Sequence, residues 1–154
     1  MSDRRADTVA DKHEIEMLQR LYAKATDKLG KKEPALREEG RRIYHRIFAP
    51  DAKVRTANTG SNLEASGPDG WADVASNALK NYIGTQHLIG TQLAEVSGDQ
   101  GELESYLNAW HKNPDNSVYY FLGTYLSKVR RYEDGWKIYD LTLRLDTSGV
   151  VQTT

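Results

Sequence analysis

Cysteine is absent from the 154 residues, which removes disulfides and thiolate chemistry and leaves the redox compartment open. Long apolar runs are missing too. None approaches the ~20 residues of a membrane span, and the polar opening from Met1 to Asp11 has no signal-peptide core. A cytoplasmic protein is the expectation. Charge of one sign is also lacking, with 21 Lys and Arg against 22 Asp and Glu. That balance gives no pull toward nucleic acid or an anionic membrane. Basic residues come in pairs such as Arg41-Arg42 and Arg130-Arg131, which read as solvated faces and not as a groove. There is no Gly-rich phosphate loop, and His13, His45, His87 and His111 show no close ligand spacing. The sequence therefore predicts activity without metal, nucleotide or flavin. No repeat, low-complexity tract or linker divides the chain, so one domain with a single core is expected.

Three helical patterns come first. Residues 1–10 read as a loose arm, after which Asp11 and Glu14 have capping-box spacing. Ile15, Leu18, Leu21/Tyr22, Ala25 and Leu29 follow at helical period, and Gly30 can end the helix. Pro34 suits the first turn of a second helix, whose apolar stripe is Leu36, Gly40, Ile43, Tyr44, Ile47 and Phe48. Ala49-Pro50-Asp51 stops it, and residues 52–57 read as a short strand. A polar loop over 58–67 leads to a third helix from Asp69 or Gly70, with Trp71, Val74, Ala75, Ala78, Leu79 and Tyr82 toward the core.

At Thr85 the period changes to two. Turns at Ser97–Gly101, Asn113–Asn116 and Glu133–Gly135 separate four long segments, which predicts an antiparallel meander ending near Asp146. Strands longer than the usual 5–6 residues twist and curl, and helices over the concave side enclose a pocket. The fold class is therefore α+β, with a single domain over 11–148 and a tail over 149–154. In the last segment Tyr139, Leu141, Leu143 and Leu145 share one face, while Trp136, Ile138, Asp140, Thr142 and Arg144 share the other. The second face mixes aromatic bulk with polar groups, as pockets do, although Asp140, Thr142 and Arg144 equally suit a face turned to water. Trp71, Tyr125, Asp140 and Arg144 are the candidate substrate-binding residues. The leucine row is then left for the outer face, where a partner subunit can cover it.

His87, near the start of the first long strand, is the candidate acid/base, because an imidazole with an unperturbed pKa of roughly 6.5 exchanges protons near neutrality. Read alone, Asp27 is an ordinary aspartate near a helix end. Tyr22, five positions earlier, lies about 140° away around an ideal helix.

Several stretches, taken in order, resemble the SnoaL-like branch of the NTF2-like superfamily over about residues 11–148. They are Leu21–Asp27, Phe48–Ala52, Thr85–Gly90, Glu104-Ser105-Tyr106 and Gly135–Ile138. The resemblance implies a cone-shaped α+β barrel of three helices against a strongly curved, mostly antiparallel sheet, with a cofactor-free pocket. In dehydratase and dehydrochlorinase members, a histidine on the sheet pairs with an aspartate near the end of the first helix. Those positions match His87 and Asp27, and a tyrosine of the bile-acid members matches Tyr22. Two departures stand out. Residues 30–45 are longer than the usual link, and Tyr125-Leu126-Ser127 replaces the common Tyr-x-Asp.

A His–Asp pair with a nearby phenol suits β-elimination from a hydrophobic cyclic or aromatic small molecule. The alternatives are an isomerase or polyketide cyclase using the same proton abstraction, and a non-catalytic small-molecule binding module. The resemblance further implies a homotrimer, with a dimer as runner-up.

Overall fold

A curved sheet with one face turned to the helices positions everything else in the molecule. The computed structural model describes residues 2–154, with side chains from residue 7 onward. In chain order the elements are α1 (Ser2–Leu29), α2 (Pro34–Ile47), β1 (Phe48–Ala57), β2 (Glu64–Ser66), α3 (Gly67–Leu79), β3 (Gly84–Ser97), β4 (Gln100–Lys112), β5 (Val118–Tyr132) and β6 (Gly135–Val151). The strands form one six-stranded sheet in the order β2-β1-β6-β5-β4-β3. Only β1 and β6 pair in parallel; the other neighbours are antiparallel. The sheet is curved but does not close, so β2 and β3 remain as edges.

On β4 the alternation of buried and exposed side chains is unbroken. Leu103, Ser105, Leu107, Ala109 and His111 are buried, while Glu102, Glu104, Tyr106, Asn108 and Trp110 are exposed. Opposite them α1 lays down Ile15, Leu18, Tyr22, Ala25 and Leu29, all buried. Each apolar side chain of this size contributes about 1.5–3 kcal/mol on burial. Helix α2 crosses α1 at Gly40, where a Cβ would stand 2.9 Å from the carbonyl oxygen of Ala25. Gly67, at φ +76°, starts α3 with its own backbone against Pro50, 2.8 Å from where a Cβ would be. Only glycine combines that φ with that approach.

Both ends of the chain differ from expectation. Of the loose arm expected over 1–10, residues 2–10 are instead part of α1, which begins at Ser2, and Met1 lies outside the described residues. Residues 2–10 hold no Gly or Pro and are rich in Ala and Arg, good helix formers. Asp11 is therefore inside the helix, and its carboxylate ties α1 to the sheet by accepting from Trp136 Nε1 at 3.0 Å and Arg131 at 2.7 Å. At the other end the tail over 149–154 is partly strand, since Val151 pairs with Val118.

The two faces of β6 also need correction. Val129 pairs with Ile138 and Lys128 with Asp140, so Tyr139 is an extra residue in a β-bulge. A bulge shifts the alternation by one. Trp136 and Ile138 are buried before it, and Leu141 is buried after it. Leu141 and Leu143 therefore face inward and cannot form the outer apolar row, whereas Asp140 and Arg144 are turned out. Among the described residues, no helix is long and apolar enough to cross a membrane.

Candidate functional site

The helices and the concave side of the sheet enclose a cavity of about 210 Å³. Its walls are mainly apolar, with Trp71, Val74 and Ala78 from α3 facing Leu107, Phe121 and Leu143 from the sheet. No Lys, Arg, Asp or Glu is among the described residues lining it. Polar groups gather in three places, one of them around the Tyr22 hydroxyl with Thr26, Trp71 and Tyr125. Thr56, Thr59 and Ser61 line a second part, and Tyr82, His87, His111 and Tyr119 line a third. Helix α2 contributes no lining residue, so the long segment 30–45 supports the cavity from behind.

His87 reaches the cavity because residues 85, 87 and 89 of β3 carry the inward parity. The start of β3 passes the end of α1, and there Asp27 meets it. His87 Nδ1 lies 2.7 Å from Asp27 Oδ1. Thr85 Oγ1 donates to the same oxygen at 3.0 Å, and the backbone N–H of His87 donates to Asp27 Oδ2 at 3.3 Å. A carboxylate only accepts, so Nδ1 carries a proton, and in the neutral ring the free lone pair is on Nε2. The pair is well shielded, with side-chain exposures of 7% for His87 and 19% for Asp27. Tyr22 and Asp27 do not need one helical face: Tyr22 points into the core while Asp27 is met from the side by β3.

Tyr22 lies in an aromatic cluster, stacked on Tyr44 at 5.3 Å and edge-on to Tyr125 at 5.2 Å. Its hydroxyl accepts from Trp71 Nε1 at 2.9 Å. Burial pushes the Tyr22 phenol above its ordinary value, and hydrogen bonds from Trp71 and its other neighbours work against that rise.

His111 has no counterpart in the sequence-level site. It is buried on β4, stands edge-on to His87 with ring centroids 5.4 Å apart, and donates from Nδ1 to the carbonyl of Tyr119 at 3.2 Å. Desolvation, reinforced by the neighbouring His87, lowers its pKa to about 4. The signal that marks it is the parity of β4, which places Leu107, Ala109 and His111 on one inward row. Thr85 was missed for a different reason, since its partner is 58 residues away in sequence.

The lowered value has a stability consequence. Between about pH 6.5 and 4 the unfolded chain takes up a proton at His111 that the folded protein refuses. Stability from this group is therefore complete above the unfolded pKa and is lost as pH falls through that window, by up to roughly 3 kcal/mol. Urea unfolding of His111→Gln at pH 7 and pH 4.5 is expected to show a flatter pH dependence than the wild type. An equal dependence in both proteins would refute this.

Of the sequence-predicted site residues, the structure brings Tyr22, His87, Trp71 and Tyr125 to the cavity and holds Asp27 against His87. It does not bring Asp140 or Arg144 there. Asp140 forms a two-pronged pair with Arg55 at 2.8 and 3.0 Å. Arg144 pairs with Asp146 at 3.2 Å and shares a shallow surface groove with Glu104 and Tyr106, which belong to the exposed row of β4. The bulge at Tyr139 accounts for both.

Three helices over the hollow of a curved six-stranded sheet define an NTF2-like fold. The SnoaL-like domain family matches residues 7–142, and the chain belongs to that family. No curated protein matches by sequence. Among solved structures, a putative aromatic ring hydroxylase from Novosphingobium aromaticivorans is 21% identical, with 94% of each chain aligned and a TM-score of 0.76. A putative scytalone dehydratase from the same organism is 18% identical, covering 100% of this chain and 94% of that one at a TM-score of 0.75. A hexachlorocyclohexane dehydrochlorinase from Novosphingobium barchaimii is 17% identical, covering 97% and 98% at 0.79. At such identities the likeness is one of fold.

Proposed function

We propose that this protein is a cytoplasmic, cofactor-independent lyase that eliminates water, or a comparable leaving group, from an uncharged hydrophobic cyclic molecule. The observation that carries the reading is the 2.7 Å contact between His87 and Asp27 at the wall of an apolar cavity. With Nδ1 tied to the carboxylate, Nε2 is the base. It takes a proton from carbon next to a carbonyl, the C–H electrons become a C=C bond, and the leaving group departs from the neighbouring carbon. Asp27 holds the tautomer and stabilises the imidazolium. Tyr22 is the phenol assigned to protonate the departing oxygen. Product and water leave, and one proton returning from His87 to Tyr22 resets both groups. An uncharged substrate follows from a lining without ionic side chains, because a buried substrate anion would have no partner there.

The dehydratase and dehydrochlorinase among the fold relatives agree with this chemistry. The test is turnover of β-hydroxytetralone, a neutral bicyclic ketone that loses water to give naphthol. The expected result is naphthol release by the metal-free protein. Bound ketone without naphthol counts against elimination and for the isomerase or binding-module alternatives.

The assembly assigned here is a homotrimer, with a dimer as the alternative. Its support is an outer sheet face on which Leu88, Tyr106, Trp110 and Leu126 are between 38% and 54% exposed. Light scattering at micromolar concentration is expected to give three times the 17.4 kDa chain mass, and Tyr106→Glu is expected to reduce it. A monomeric mass for the wild type overturns the assignment.

A further inference from the structure

Trp71 is fully buried, and its indole N–H is spent on one atom, the Tyr22 hydroxyl oxygen 2.9 Å away. The protons around that oxygen can be followed one by one. Thr26 Oγ1 donates to the backbone carbonyl of Tyr22 at 2.8 Å, since a carbonyl can only accept. The 2.6 Å contact between Thr26 Oγ1 and the Tyr44 hydroxyl therefore has Tyr44 as its donor. Trp71 cannot take a proton in return, because an indole N–H is a donor only. One lone pair of Tyr22 is thus engaged by Trp71, and of the residues beside its hydroxyl, Trp71, Thr26 and Tyr125 line the cavity together with Tyr22 itself, whereas Tyr44 stands behind it.

From this geometry we propose that Trp71 is a positioning residue that holds the Tyr22 oxygen as its fixed donor and makes Tyr22 the acid of the elimination. The inference rests on the lyase reading above and deepens it. A donor that cannot reverse favours the phenolate over the phenol, so it strengthens Tyr22 as an acid at the moment the C–O bond breaks. In that step the proton passes from the Tyr22 oxygen to the departing hydroxyl, which leaves as water. The phenolate formed is held by Trp71 until His87 returns a proton. Trp71 itself neither gains nor loses one. Beside the same hydroxyl, Thr26 and Tyr44 have their own protons committed and Tyr125 can turn its hydroxyl either way, so Trp71 is the neighbour fixed as a donor, while Phe48 only packs edge-on to the ring.

The test places difluorotyrosine at position 22, where its fluorine resonance reports the ionisation of this one phenol within an accessible pH range. Trp71→Phe is expected to raise the midpoint by about one pH unit or more, because it removes a hydrogen bond to the charged form. Replacing Trp71 with benzothienylalanine, which keeps the shape and substitutes sulfur for the N–H, is expected to do the same and covers the case in which Phe fails to fold. Phe48→Leu loosens the same ring without removing a donor and is expected to leave the midpoint within a few tenths of a unit. With the ordinary tyrosine restored, Trp71→Phe is expected to lower kcat on β-hydroxytetralone by roughly 10- to 100-fold with KM changed less than threefold. The alkaline limb of kcat moves up with the phenol. A midpoint unmoved by either Trp71 replacement, or moved equally by Phe48→Leu, overturns the assignment whichever reaction the protein performs. Absence of naphthol with the wild type counts instead against the lyase reading, so the two failures are distinguishable.

Discussion

His87→Gln is expected to keep the fold and lose most of the turnover. Glutamine is close in size and its side-chain amide can still donate to the Asp27 carboxylate, so the corner between α1 and β3 remains satisfied. It cannot take a proton from carbon. A positioned acid/base contributes ~10²–10⁴-fold, and a loss of that order in kcat is the expected result, with KM nearly unchanged because the apolar walls are intact. The melting temperature is expected to stay within a few degrees. His111→Gln provides the control within the same cavity. Its Nδ1–H is committed to a backbone carbonyl and it has no carboxylate partner, so kcat is expected to fall less than tenfold. A His87→Gln protein with more than a tenth of the wild-type kcat would remove the base from the mechanism, and an equal loss from His111→Gln would reassign it.

The sequence was most informative where a period was long and uninterrupted. The row Leu103, Ser105, Leu107, Ala109 and His111 alternates without a break, and so does the helical row from Ile15 to Leu29. Each repeats a choice between two faces many times, so the choice is safe. The α+β fold with its curved sheet follows from such rows taken in order, whereas the SnoaL-like family was legible only as a resemblance of short stretches from Leu21–Asp27 to Gly135–Ile138, which the family match over 7–142 bears out. Reading stopped at single-residue events. One extra residue, Tyr139, moves Leu141 and Leu143 into the core and carries Asp140 and Arg144 out of it. Nothing local to β6 announces the bulge, because either face can be read as amphipathic until the partner strand is known. The start of α1 escaped notice for a related reason. Asp11 has the spacing of a cap, yet its carboxylate is recruited by Trp136 and Arg131, more than a hundred residues downstream.

The candidate site divides the same way. His87 stood out by its residue type and its place near the start of a long strand, whereas Tyr22 and Asp27 were selected on a resemblance, since their spacing put them on different faces of one helix. Packing accounts for their grouping: the helix offers two directions, and two other elements come to meet them. Trp71 of α3 reaches Tyr22, and β3 reaches Asp27. The parity of β4 marks His111 as inward, but its place beside His87, like the approach of Thr85, shows only once β3 and β4 are in register, with Thr85 opposite His111 and His87 opposite Ala109.

Asp27→Asn is expected to be nearly as severe as loss of the base, although it changes the shape of the site very little. The carboxylate receives three donors: Thr85 Oγ1 and His87 Nδ1 on one oxygen, and the backbone N–H of His87 on the other. An amide cannot satisfy all three. If its oxygen faces His87 Nδ1 and Thr85, its NH₂ faces the backbone N–H, and two donors oppose each other in a shielded place. Each such orphaned group costs about 1–3 kcal/mol. If the amide turns over, the NH₂ faces Nδ1, which must then become the acceptor. The ring proton moves to Nε2, on the side where the base has to be free. This second arrangement leaves the site folded but in the wrong tautomer, and the imidazolium loses its carboxylate in either case. A fall in kcat of ~10²–10⁴-fold is expected, with small changes in KM and a melting temperature lowered by several degrees at most. Nitrogen NMR of the His87 ring gives an independent reading: the wild type is expected to carry its proton on Nδ1 and the variant on Nε2. Thr85→Val removes only one of the three donors and is expected to cost less than tenfold. Wild-type turnover in Asp27→Asn, or a ring proton that stays on Nδ1 while activity is lost, would show that the carboxylate does not act by holding the tautomer.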